Sequence, residues 1–156
     1  MISVILTASD DAKALARLLT ALVPAAAEGL VREVALIGAA GASAALAEDA
    51  GADLFDDFGA AAARARGPWL AGLPLAAGFA PEWMESLAGH LARDPPTPAR
   101  LVARPHGFGL GGFRLAGGPE GWLAPKPPAP SAGLVEQDFQ RLARRSGRRL
   151  RVLDRR

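Results

Sequence analysis

Over its first ninety residues the chain switches repeatedly between two hydrophobic periods, and few architectures accept such an alternation. Ile2-Ser3-Val4-Ile5-Leu6-Thr7 is a short, β-branched apolar run, the pattern of a buried strand. Ser9, Asp10 and Asp11 follow as turn and cap residues, and Leu15, Leu18, Leu19 and Leu22 then recur at helical spacing. Pro24 is expected to end that helix. The cycle repeats with a strand at 32–37, a glycine-rich turn at Gly38 and Gly41, a helix at 42–50 and Gly51 as its cap. A strand at 53–55, an alanine-rich helix at 58–66, a strand at 69–73 and a helix opened by Pro81 and running to Leu91 complete it. Strand–helix alternation of this kind predicts a mostly parallel sheet covered on both faces, a three-layer α/β/α fold. Ligands of such sheets bind beyond the carboxyl ends of the strands, which directs attention to 7–11, 38–43 and 74–78.

Beyond Pro95-Pro96 the texture changes. Strands are predicted at 100–103 and 108–115, a glycine- and proline-rich loop at 116–132, a helix at 133–146 and a last strand at 150–153. Pro125, Pro127, Pro128 and Pro130 read as too dense for a helix or a central strand. At 156 residues the expectation is a single domain, with 1–94 as one half and 95–156 as the other.

With no cysteine there is no disulfide, thiolate nucleophile or zinc–thiolate site, and His90 and His106 stand too far apart to suggest a metal pair. No apolar run reaches the roughly 20 residues of a membrane-spanning helix, and Met1-Ile2-Ser3 lacks the basic flank of a secretory signal, so the reading is cytoplasmic. The net charge of +2 conceals an asymmetry: Arg141, Arg144, Arg145, Arg148, Arg149, Arg151, Arg155 and Arg156 crowd the end of the chain against Asp154. Such a cluster attracts phosphates on lipid, nucleotide or nucleic acid, and it equally suits a solvated helix face. Nothing in it points to a specific nucleic acid, whereas peripheral contact with an anionic membrane is consistent with it.

Four stretches resemble the family-2 glycosyltransferases of GT-A type. The opening Ile2 to Asp11 is similar to the family's first strand and nucleotide-binding turn, and Leu30 to Ile37 to the strand preceding its base-reading aspartate. Ala65-Arg66-Gly67-Pro68-Trp69-Leu70, continued to Pro81-Glu82-Trp83, resembles the segment around the metal-binding DXD motif. Gly133-Leu134-Val135-Glu136-Gln137-Asp138-Phe139 resembles the acidic motif that opens the late helix and carries the catalytic base. The resemblance implies a GT-A domain binding a nucleotide sugar of UDP or GDP type, with Ala8, Ser9, Asp11 and Gly38 at the nucleotide, and with Asp138 as the catalytic base and Glu136 beside the acceptor.

The departures from the family pattern fall where it places its ligands. The base-reading aspartate corresponds to Gly38, the DXD to Pro74-Leu75-Ala76, and a further polar pair to Phe58-Gly59. The Mn²⁺ or Mg²⁺ usual in the family needs hard oxygen ligands that these residues lack, so no metal cofactor is expected. Metal-dependent sugar transfer is therefore expected to be weak or lost, the alternative being a non-catalytic GT-A-like scaffold for protein contact. Each candidate acid has a second use: Asp11 suits the cap of the first helix, Asp56-Asp57 that of the third, and Glu136 and Asp138 the dipole of the last. Trp122 suits either a sugar face or packing under a loop. Gly107 to Gly112 formally satisfies GxGxxG, but no good helix follows, so the expectation is a chance match with no catalytic part for His106.

Overall fold

A computed structural model of the chain describes residues 1–75, 78–93, 95–103, 120–128 and 134–154. The predicted strand at 108–115, the glycine run 107–112, His106, Ala76, Arg155 and Arg156 lie outside the described residues.

The alternation of the first half is realised as β1 (Ile2–Thr7), α1 (Ala12–Ala27), β2 (Val31–Ile37), α2 (Gly41–Asp49), β3 (Asp53–Phe55), α3 (Phe58–Arg64) and β4 (Trp69–Gly72). A two-residue β5 (Gly78–Phe79), α4 (Trp83–Leu91), β6 (Ala99–Ala103), β7 (Glu120–Pro125), α5 (Glu136–Arg145) and β8 (Arg149–Asp154) follow. The eight strands of the described residues join one sheet in the order β3-β2-β1-β4-β7-β6-β8-β5. The pairs β1–β2, β1–β4, β2–β3 and β6–β8 are parallel; β4–β7, β6–β7 and β5–β8 are antiparallel.

Side chains from the two faces of the strands build two cores. Val4, Leu6, Leu36, Leu101 and Leu123 meet Leu15, Leu18, Leu19 and Leu22 of α1, Ala47 of α2 and Trp83 and Leu87 of α4. On the other face Ile5, Ala35, Leu70, Trp122 and Ala124 meet Phe58, Ala61 and Ala62 of α3 and Phe139 and Ala143 of α5. The three-layer arrangement is thus as expected.

Three local readings are corrected. Pro24 does not end α1, which runs to Ala27. Pro24 and Thr20 lie on the exposed side, so the Thr20 carbonyl that loses its partner faces water, while Ala25 in the next position is fully buried and holds the last turn down. Helix α4 begins at Trp83 with Glu82 as its cap, two residues after Pro81, and Phe79 stacks on Trp83 at a centroid distance of 4.2 Å. Most consequential, the expected loop contains β7, a central strand. Trp122 and Ala124 face one core and Leu123 the other, so the run is apolar on both sides, as an interior strand requires. Pro125 is tolerated because it is the last residue of the strand, and pairing continues with Lys126 N–H to the Pro68 carbonyl at 2.9 Å.

Candidate functional site

The carboxyl ends of β1 and β2 bring three of the four expected nucleotide residues together. Ala8 N–H donates to the Ile37 carbonyl at 2.9 Å, and Gly38 N–H to the Phe55 carbonyl at 2.9 Å. Gly38 has φ of 68°, a conformation that favours glycine and turns the chain from β2 toward α2. Ser43, buried in the first turn of α2, donates its hydroxyl to the Ser9 carbonyl at 3.0 Å and so ties the two turns to each other. Ser9 Oγ accepts from Asp11 N–H at 3.3 Å. Asp11 itself caps α1, its Oδ1 accepting from Ala14 N–H at 2.9 Å. Ser43 escaped the sequence reading, although a serine in a first helical turn after a glycine-rich bend is a signal for such a tie.

The second cluster lies on the same edge, one strand over. Ile5 of β1 is registered beside Gly72 of β4, and Gly72 beside Trp122 of β7. The indole crosses the face of Gly72 so closely that a Cβ there would collide with Nε1, which fixes glycine at this position. Trp122 Nε1 donates to Glu136 Oε1 at 2.8 Å, and Gln140 Nε2 donates to the same oxygen at 3.2 Å. Phe58 and Phe139 close over the indole at centroid distances of 5.9 and 5.0 Å. Trp122 is therefore a core residue whose polar tip orients an acid at the start of α5. Phe58, standing where a polar residue was sought, is part of the same packing. Asp138 is placed differently. Its side chain is 47% exposed, with Oδ2 3.5 Å from Val135 N–H at the head of α5 and Oδ1 3.4 Å from Arg141 Nη1. Both acids thus stand in the first turn of one helix, one held under an indole and one facing water.

At the position of the metal motif, Pro74 and Leu75 offer no side-chain oxygen, and these residues do not fit a divalent cation bridging a diphosphate. Among the described residues no group of three or more histidines, aspartates and glutamates is placed to hold a metal ion. Asp57, a conceivable ligand, caps α3 through Oδ1 and Ala60 N–H at 2.8 Å. Arg100 on β6, registered beside Trp122, pairs with Glu120.

At the opposite end of the parallel strands lies a polar cluster that no motif announced. Glu33 Oε1 accepts from the Ser3 hydroxyl at 2.5 Å and from Arg66 N–H, while Oε2 meets Arg66 Nε at 2.5 Å. Ser3 Oγ in turn accepts from Gly67 N–H at 2.8 Å. Burial opposes ionisation of Glu33, but the hydrogen bonds from Ser3 and from the Arg66 backbone and side chain outweigh it and hold the carboxyl below its ordinary range. A Cβ at Gly67 would stand 2.7 Å from Ser3 N, so this corner admits only glycine. Lys126 completes it by donating to the Ala63 carbonyl at 3.1 Å and to that of Ala65, at the end of α3.

Comparison with known proteins bears on the fold. No family profile matches the chain, and no curated protein sequence matches it. Among solved structures it is similar to glucosyl-3-phosphoglycerate synthase from Mycobacterium tuberculosis, crystallised with Mn²⁺, uridine diphosphate and glucosyl-3-phosphoglycerate. The TM-score is 0.53 at 18% identity, over 67% of this chain and 44% of the synthase. The chain thus spans less than half the length of that enzyme. At this identity the likeness shows the architecture, which is that of the GT-A glycosyltransferases.

Proposed function

We propose that the chain binds a nucleotide sugar at the edge where β1, β2 and β4 end, and that sugar transfer there proceeds weakly and without a bridging metal, or has been lost. The observation that carries this reading is the joining of the β1 and β2 turns through Ser43 and Ser9, which builds a fixed backbone wall from Ala8 to Gly38 at the ligand-binding edge of an α/β sheet. The GT-A architecture, shared with an enzyme solved with uridine diphosphate, supports a nucleoside diphosphate as the ligand. In a transfer step, an acceptor hydroxyl oxygen would form a bond to the anomeric carbon while the bond to the diphosphate breaks. Asp138 would take the hydroxyl proton, Glu136 would orient the acceptor, and arginine would balance the leaving diphosphate.

One observation favours a second reading, a non-catalytic scaffold. Asp11, Asp57 and Asp138 are each engaged at a helix start, so the surviving acids already have structural work. Calorimetric titration with UDP and GDP, in EDTA and then in Mn²⁺, separates the two. Saturable binding that EDTA leaves unchanged is expected for the nucleotide-sugar reading. Failure of both nucleotides to bind under either condition would establish the scaffold in its place.

A further inference from the structure

Charge is divided unequally along this chain. Residues 1–90 hold eleven acids against five bases, and residues 91–156 five acids against thirteen bases. The fold gathers part of the basic excess into one surface. Along β8, Leu150 and Val152 turn into the core beneath α4, so the alternating Arg149 and Arg151 point to the opposite face of the sheet, and both are exposed. That is the face on which α5 lies, and among the described elements α5 packs chiefly over β7 and β6, with β8 beside them. The solvent side of α5 carries Arg141, Arg144 and Arg145, all exposed, with Leu142 among them at 42% exposure. Arg141 has only a long contact with Asp138, and Arg144, Arg145, Arg149 and Arg151 form no ion pair with any described residue.

We propose that the exposed arginines of α5 and β8 form a docking surface for an anionic lipid bilayer. Unpaired guanidinium groups around an exposed leucine match a headgroup layer, where charge attracts and a small apolar side chain enters. A single-stranded nucleic acid would want aromatic platforms, and the aromatics of this half among the described residues, Trp122 and Phe139, are inside the core. The acidic first half would be repelled by the same surface, which fixes the orientation of the molecule. This inference is independent of the nucleotide reading.

Co-sedimentation of the full chain with vesicles tests it. Binding is expected to phosphatidylcholine vesicles containing phosphatidylserine and not to phosphatidylcholine alone, and it should weaken as salt is raised. Each arginine neutralised should weaken binding about fivefold, so Arg149→Gln with Arg151→Gln should lower it about 25-fold. The pair Arg144→Gln with Arg145→Gln should do the same on a different element, and Arg17→Gln, exposed on α1, should change nothing. Equal binding to neutral vesicles, an equal loss in Arg17→Gln, or stronger binding to a nucleic acid than to the anionic vesicles at the same salt would each overturn the proposal.

Discussion

Glu33 is where a single side chain most clearly links chemistry to stability. Its side chain is only 8% exposed, and its two oxygens answer Ser3 and both the backbone and guanidinium of Arg66. Because its carboxyl is held below the ordinary value of 4.5, the stabilisation it gives is complete above that value and is lost as pH falls through the folded-state value. Urea unfolding of Glu33→Gln should show a deficit of about 1–3 kcal/mol near neutrality, shrinking in acid until the two curves converge. A deficit independent of pH would mean that packing, not charge, is what the variant loses. This corner was illegible in the sequence, because residues 3, 33 and 66 meet only once three strands are registered. Helix caps were legible, since Asp11 and Asp57 act within three residues of themselves. The candidate acids were found as residues, but their difference was not: Glu136 takes its place from Trp122, fourteen positions away on another element. That difference makes the base assignment testable. If the chain transfers sugar, Asp138→Asn should reduce turnover about a hundredfold with little change in donor affinity, at a stability cost of about 1 kcal/mol or less. Glu136→Gln keeps an oxygen for the indole N–H. A larger loss of turnover in that variant than in Asp138→Asn would move the base to Glu136.

At the scale of the element, Pro24 and β7 show how position in the fold overrides local preference. Proline inside a helix costs about 3 kcal/mol, and part of that is offset because proline also restricts the unfolded chain by about 0.4–1 kcal/mol. Pro24→Ala restores a helical hydrogen bond on the exposed side of α1 and should stabilise the protein by about 2 kcal/mol. The urea midpoint should rise with an unchanged slope, and a fall would show that the ring is packed against something it needs. The β-branched runs of β1 and β2 were readable because both faces of those strands are covered, giving continuous apolar sequence. Strand β7 has the same property over Trp122, Leu123 and Ala124, but Gly121 and Pro125 at its margins are ordinarily signs of a loop. Both have structural reasons: Gly121 lets the Gly72 carbonyl approach within 2.5 Å of where a Cβ would be, and Pro125 is the last residue of the strand.

Across the whole molecule, β7 decides whether residues 1–94 and 95–156 are parts or units. It lies between β4, the last long strand of the first half, and β6, so the sheet is continuous through it. Without the second half, β4 would present an unpaired edge, a template for association with another chain. The loss on the α3 face is larger still, because Trp122, Ala124, Phe139 and Ala143 supply much of the core against which Phe58, Ala61 and Ala62 are buried. Burying one large apolar side chain is worth about 1.5–3 kcal/mol, and removing several such partners at once approaches the whole stability of a domain this size, about 5–15 kcal/mol. A fragment of residues 1–94 is therefore expected to lack a cooperative unfolding transition and to elute from a sizing column as an aggregate or oligomer. Adding residues 95–156 as a separate fragment should restore helical signal and cooperativity, because the missing strand and the missing face of the core arrive together. Should the first fragment instead unfold cooperatively as a monomer, the chain would consist of an independent nucleotide-binding half with an appended one, and β7 would be a seam between them.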